Sequence, residues 1–151
     1  MKREQHEKLR LREELLEVVT ALWFEIDHRK GSQASEFFVS DAELRFSQRT
    51  FRGTGEINSV YAGRAARGPR VSRHVVANLH VTAAGFDWAS AVSTLILFAD
   101  DGEAPRPHTT PALVADVTDS FERHDGCWLI RSRRIDHLFI ESDTTLAVPT
   151  E

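Results

Sequence analysis

Val71-Ser72-Arg73-His74-Val75-Val76-Ala77-Asn78-Leu79-His80-Val81 reads as a long β-strand, rich in β-branched residues and alternating in character. One face carries Arg73, Val75, Ala77, Leu79 and Val81; the other carries His74, Val76, Asn78 and His80. The first face is apolar, and the second mixes apolar groups with hydrogen-bonding ones. A face wholly in water has no use for Val76, and a packed core rarely takes two histidines and an asparagine. The mixed face therefore suits the lining of a pocket, and the apolar face suits a helix layer or a partner subunit. Alternation alone leaves open which face turns inward.

Three further strands follow, Ala89–Phe98, Leu113–Arg123 and Trp128–Phe139. Ala84-Gly85-Phe86-Asp87, Asp100-Asp101-Gly102 and His124-Asp125-Gly126 are turn signals between them, which predicts an antiparallel meander. Pro105, Pro107 and Pro111 fall in the connection Glu103 to Ala112, where a missing amide donor does no harm. Trp88 and Trp128 begin strands and are expected in the core or over a pocket mouth. Cys127 is expected as a small packed hydrophobe.

Upstream of the deciding strand the period changes to that of a helix. Leu11, Leu15, Val18, Val19, Leu22 and Ile26 recur at spacings of three and four, predicting a helix from about Glu4 to Asp27, with Gly31 as its cap. A short second helix is expected over Ser32 to Phe38, with Ser32 as N-cap and a break at Ser40-Asp41. Ala42–Phe46 and Thr50–Arg52 read as strands. A third helix opens at Gly53-Thr54-Gly55, carries Ile57, Val60 and Tyr61, and ends in the basic connector Gly63–Pro69. Helices first and a sheet afterwards give an α+β domain, with N-terminal helices packed into a strongly curved antiparallel sheet.

Composition narrows the function classes. The chain has 151 residues, the size of one domain with an adequate core, and a net charge of -4, which gives no bulk attraction to nucleic acid. No apolar run approaches the roughly 20 residues of a membrane span, and the polar first eight residues differ from a secretory signal, so a cytoplasmic location is expected. One cysteine excludes a thiolate zinc site, and no two histidines have the close helical spacing of a metal site. Neither a dinucleotide fingerprint nor a nucleophile elbow is present. No metal or other cofactor is expected.

Four segments together resemble the SnoaL-like branch of the nuclear transport factor 2-like superfamily. They are Trp23-Phe24-Glu25-Ile26-Asp27-His28-Arg29, Glu36-Phe37-Phe38-Val39-Ser40-Asp41-Ala42-Glu43-Leu44, Arg73-His74 running on to Asn78, and Phe121 to Arg133. The resemblance implies a single domain over residues 1–151, with 1–8 and 143–151 frayed, folded as a cone-shaped α+β barrel whose open end holds a small molecule. Asp27 and His74 match the aspartate and histidine that line the pocket of dehydratase-like members, which implies an acid/base pair. Phe24 and Ile26 stand where those members have a tyrosine beside the aspartate, and Tyr61 is the only tyrosine here.

Trp23, Tyr61, Val76, Asn78 and Trp128 are the candidate substrate-binding residues. His80, His108, His124 and His137 are expected to be structural or solvated. Arg64, Arg67, Arg70 and Arg73 read mainly as a solvated basic loop, with steering of an anionic ligand as the lesser alternative. The functional expectation is a cofactor-free lyase or isomerase for a small apolar or aromatic molecule with a carbonyl or hydroxyl group. The alternative is a non-catalytic ligand-binding or scaffold module, such as a partner of the dioxygenase small-subunit kind. The apolar strand face predicts self-association, most simply a two-fold homodimer.

Overall fold

In a computed structural model, which describes residues 1–142, helix α1 (Lys2–Arg29) leads through a 3₁₀ turn (Ala34–Phe37) into β1 (Phe38–Phe46) and β2 (Arg49–Arg52). Helix α2 (Gly53–Ala66) then precedes four long strands, β3 (Arg70–Ala84), β4 (Trp88–Asp101), β5 (Leu113–His124) and β6 (Cys127–Ile140). The six strands form one curved, unclosed sheet in the order β2-β1-β6-β5-β4-β3. The meander β3 to β6 is antiparallel, as its turn signals predict. β1 joins β6 in parallel, with Phe38 opposite Ile130 and Phe46 opposite Ile135. That pairing closes over α2 and four strands, so no hairpin signal announces it. Among the described residues no helix is long and apolar enough to cross a membrane.

Helix α1 begins at Lys2, and Lys2–Lys8, expected to fray, are helical; 143–151 lie outside the described residues. Pairs four residues apart, Arg3–Glu7, Glu4–Lys8 and Arg10–Glu14, support its exposed first turns. Beyond them Leu15, Val19 and Leu22 are fully buried and share one core with Leu95, Val117, Phe121 and Ile130. Each such side chain contributes about 1.5–3 kcal/mol through burial. Glu25, at a nominally polar position, is also buried; its carboxylate accepts from the Gln33 amide at 2.9 Å and the Ser32 hydroxyl at 3.2 Å, which fixes the turn after the helix.

Several local expectations need correction. The segment Ser32 to Phe38 forms only the 3₁₀ turn, with Gln33 rather than Ser32 as its cap and no side-chain bond. Ser40-Asp41 does not break the chain but sits exposed inside β1, where the register with β6 shifts. Helix α2 is capped at Arg52, not Thr54; the Arg52 amide donates to the Glu56 carboxylate at 2.6 Å. Cys127 is exposed at the start of β6, beside the Asp125-Gly126 turn, because the hairpin end projects past the core. Trp88 is exposed at the start of β4.

The largest correction concerns β3. Up to Ala77 the even positions turn inward, leaving Ser72, His74 and Val76 partly buried and Arg73 and Val75 exposed. At Asn78, with φ of 54°, the register against β4 slips by one residue. Parity then inverts: Leu79 is buried and His80 points out. No single apolar face runs from Arg73 to Val81; the bulge divides it between core and solvent. Asparagine tolerates the left-handed backbone that a β-branched residue resists. The Arg12 side chain donates to the Leu79 carbonyl at 3.2 Å, tying α1 to the strand just beyond the bulge.

Candidate functional site

The end of α1, the C-terminal half of α2 and the concave side of the sheet enclose a cavity of about 140 Å³. A cavity of roughly 150 Å³ accepts a benzene ring, which sets the scale of a fitting ligand body. Leu95, Leu97, Leu113, Ile135 and Phe46 supply its apolar walls. Trp23 and Asp27 enter from α1, Ser72 and His74 from the first half of β3, Tyr61 from α2 and His137 from β6.

Asp27 and His74 lie 47 positions apart in sequence and meet in space. The Asp27 Oδ1 atom stands 2.6 Å from His74 Nδ1, and Oδ2 accepts the His74 backbone amide at 2.8 Å. The Ser72 hydroxyl donates to Oδ1 at 2.8 Å. The two side chains are only 5% and 13% exposed, so the contact is shielded from solvent. Burial pushes the Asp27 carboxyl up, but the bonds and charge of His74, with the Ser72 hydroxyl, outweigh it and hold the group below its ordinary value. Asp27 is a carboxylate at neutral pH. It fixes the tautomer with hydrogen on Nδ1 and leaves Nε2 as the basic nitrogen.

Trp23 stacks flat against the His74 ring, with centroids 4.3 Å apart and planes 4° from parallel. The Arg133 guanidinium lies over the same indole at 4.6 Å. Arg133 is in turn clamped by Asp119 through two bonds of 2.7 and 2.8 Å, both residues being buried. The imidazole is thereby held in plane by packing and in register by Asp27.

Tyr61 comes from a helix whose approach depends on one glycine. A Cβ at Gly31 would lie 2.9–3.0 Å from the Tyr61 ring, and Gly31 itself has φ of 69°. Burial pushes the Tyr61 hydroxyl up to about 12, with Arg133 opposing and Asp119 adding to the rise. The phenol stays protonated and can donate a hydrogen bond. His137 lies beside Ser47, its Nδ1 3.3 Å from the Ser47 hydroxyl. Burial pushes this histidine down against the pull of Asp136, so it is neutral at pH 7.

Of the residues read from sequence, Asp27, His74, Trp23 and Tyr61 line the cavity. Asn78, Val76 and Trp128 do not. Asn78 is exposed on the bulge, and Val76 packs against the core instead of lining the space. Trp128 is buried elsewhere, donating to Glu14 at 3.0 Å beneath the Arg123 guanidinium. Ser72, His137, Lys30, Arg64 and Arg70 also line the cavity. Counting alternate positions from Trp128 would send His137 outward; a register shift of β6 around Arg131 reverses that parity. Among the described residues no cluster of three or more histidine, cysteine or acidic side chains could hold a metal ion.

Comparison with known proteins adds a family. The profile of the SnoaL-like domain matches residues 7–134. No curated protein matches the chain. Similar solved structures include ActVI-ORFA from Streptomyces coelicolor, at 22% identity and a TM-score of 0.73, covering 85% of this chain and 97% of that one. A protein from Novosphingobium aromaticivorans with a provisional assignment as a scytalone dehydratase is 15% identical, with a TM-score of 0.75 and coverage of 92% and 89%. A Catenulispora acidiphila protein in complex with S-DNPA is 20% identical, with a TM-score of 0.74 and coverage of 85% and 94%. At these identities the likeness is one of fold.

Proposed function

The chain belongs to the SnoaL-like domain family, and from that premise we propose that it is a cofactor-free lyase or isomerase in which His74, oriented by Asp27, moves a proton on a small, mostly apolar carbonyl compound. The observation that carries this reading is the 2.6 Å Asp27–His74 contact at the wall of an apolar cavity. A base oriented by a buried carboxylate is the arrangement general-base catalysis requires.

In this reading His74 Nε2 takes a hydrogen from the carbon next to the substrate carbonyl. The C–H electron pair moves into the carbon framework, and charge develops on the carbonyl oxygen. Tyr61, protonated to about pH 12, donates to that oxygen as the charge grows. Return of the proton to another carbon completes an isomerisation. Its delivery to a departing β-hydroxyl, with loss of water, completes a dehydration. Asp27 stabilises the imidazolium formed in between. The apolar walls exclude water and strengthen each of these interactions.

The first test is exchange of the α-hydrogens of 2-tetralone in D2O, followed by NMR. The native protein should exceed the buffer rate, and His74→Gln and Asp27→Asn should each lose about 10²-fold or more of the excess. Exchange at the buffer rate, or unchanged exchange in both variants, would sink the acid/base reading and leave a non-catalytic binding module.

A second proposal concerns assembly. Val75 and Phe98 are exposed on the outward side of β3 and β4, so the outer sheet face is partly apolar. We propose that a second copy of the chain covers it as a two-fold dimer. Sedimentation should give a dimer that Val75→Glu dissociates; a monomer at every concentration would overturn the proposal.

A further inference from the structure

The rim of the cavity carries more positive charge than its surroundings neutralise. Lys30, Arg64 and Arg70 all line it. Arg64 comes from the last turn of α2, and Arg70 opens β3 directly opposite Asp101 at the end of β4. Both arginines use the same Asp101 oxygen, Arg64 Nη2 at 2.8 Å and Arg70 Nη1 at 3.1 Å. Their side chains are each 12% exposed. Lys30 has no ion pair among the described residues, and Arg64 Nε is buried without a hydrogen-bond partner.

The other nearby carboxylates are committed elsewhere. Asp27 is held by Ser72 and His74, and Asp100 accepts from Arg106 at 2.9 Å. One aspartate is thus shared by two guanidinium groups, and the Lys30 ammonium on the same cavity lining has no ion pair among the described residues. Burial, together with the neighbouring Arg70 charge, pushes the Arg64 guanidinium down despite Asp101, consistent with incomplete neutralisation. Two guanidinium groups that share a single carboxylate oxygen on the lining of an apolar space are matched by a planar anion whose apolar body lies within.

We infer that the cavity takes a carboxylic acid: an apolar ring body between Leu95, Leu97 and Ile135, with its carboxylate at the rim on Arg64 and Arg70, within reach of Lys30. The inference rests on the proposed function only for the place where a ligand sits and does not depend on proton transfer. It divides the cavity into two parts. The Asp27–His74 wall acts on the reacting carbons, and the basic rim sets which end of the molecule stays at the mouth.

The test compares 1-naphthylacetate with 1-naphthylacetamide by titration calorimetry at low salt. The two differ in charge and hardly in shape. The acid should bind about tenfold tighter or better, the scale of one charge-assisted hydrogen bond. Arg64→Gln and Arg70→Gln should each remove most of that preference, weakening the acid more than the amide. The acid-to-amide ratio of the unaltered protein decides the matter even where a variant fails to fold. Equal binding, tighter binding of the amide, or no binding of either overturns the subsite. A protein that prefers the acid but leaves 2-tetralone exchange at the buffer rate keeps this subsite and loses the acid/base reading. The converse result does the opposite.

Discussion

Two carboxylate-bearing pairs pack against the Trp23 indole, and they are built to different ends. Arg133 and Asp119 form a bidentate contact at 0% and 3% exposure, wholly inside the core. His74 and Asp27 form a contact of similar length at 13% and 5% exposure, at the wall of a cavity. Both pairs are close, buried and hydrogen-bonded, so burial of charge does not by itself mark a functional site. The difference lies in where the unspent group sits. Asp119 takes the Nε and Nη2 bonds of Arg133 while Nη1 stays buried in the core without a partner, whereas the Asp27 bond to Nδ1 leaves Nε2 of His74, on the cavity lining, for a visitor.

Removal of Arg133 should have the largest effect. Arg133→Met leaves Asp119 buried without its cation, and unfolding in urea should show a loss of about 3–5 kcal/mol. Adding Asp119→Leu should recover most of it, because replacing both charges by apolar groups removes the unpaired one. A loss below about 1 kcal/mol would mean that the pair is no more structural than the one at the cavity.

The next effect is that of Gly31→Ala, about 2 kcal/mol in the same measurement. The new methyl meets the Tyr61 ring and must also sit at φ of 69°. In a Tyr61→Ala background the steric part disappears, and the cost should fall to the roughly 1 kcal/mol of the left-handed backbone alone. Equal costs in the two backgrounds would show that Tyr61 is not held by this contact. His74→Gln should cost about 1 kcal/mol or less, since it exchanges one donor to Asp27 for another. Its large effect belongs to proton exchange, and a stability loss rivalling that of Arg133→Met would erase the distinction between the pairs.

The fold was legible where order along the chain maps onto neighbours in space. Helical spacing in Leu15, Val19 and Leu22 and the turn signals between the long strands anticipate α1 and the antiparallel meander. The β1–β6 pairing was not legible, because partners so distant in sequence leave no local signal. Bulges account for most of the rest. At Asn78 and around Arg131 one inserted residue changes which side chains face inward, so strict alternation misplaced Asn78, and His137, read as structural or solvated, turns to the cavity. Arg64 and Arg70 looked like a solvated loop because their charge pattern says nothing of the α2 turn that folds them over the cavity. Tyr61 belongs to neither group: its helix was readable, but its approach to Gly31 appears only in three dimensions.

The smallest effect tests the cavity pair by acid. Asp27 is held below its ordinary value in the folded protein, so it binds a proton less readily folded than unfolded. Its stabilisation is therefore complete above the unfolded carboxyl value of about 4 and is lost as pH falls through the lower folded one. Unfolding measured between about pH 5 and pH 2 should then fall more steeply for the native protein than for Asp27→Asn. Both curves keep a common acid slope from Glu122, which Arg131 and His124 hold down to about 2. Parallel curves would show that the Asp27 carboxylate gains nothing from its three partners in the folded state, and the orientation of His74 would then have to come from the Trp23 stack alone.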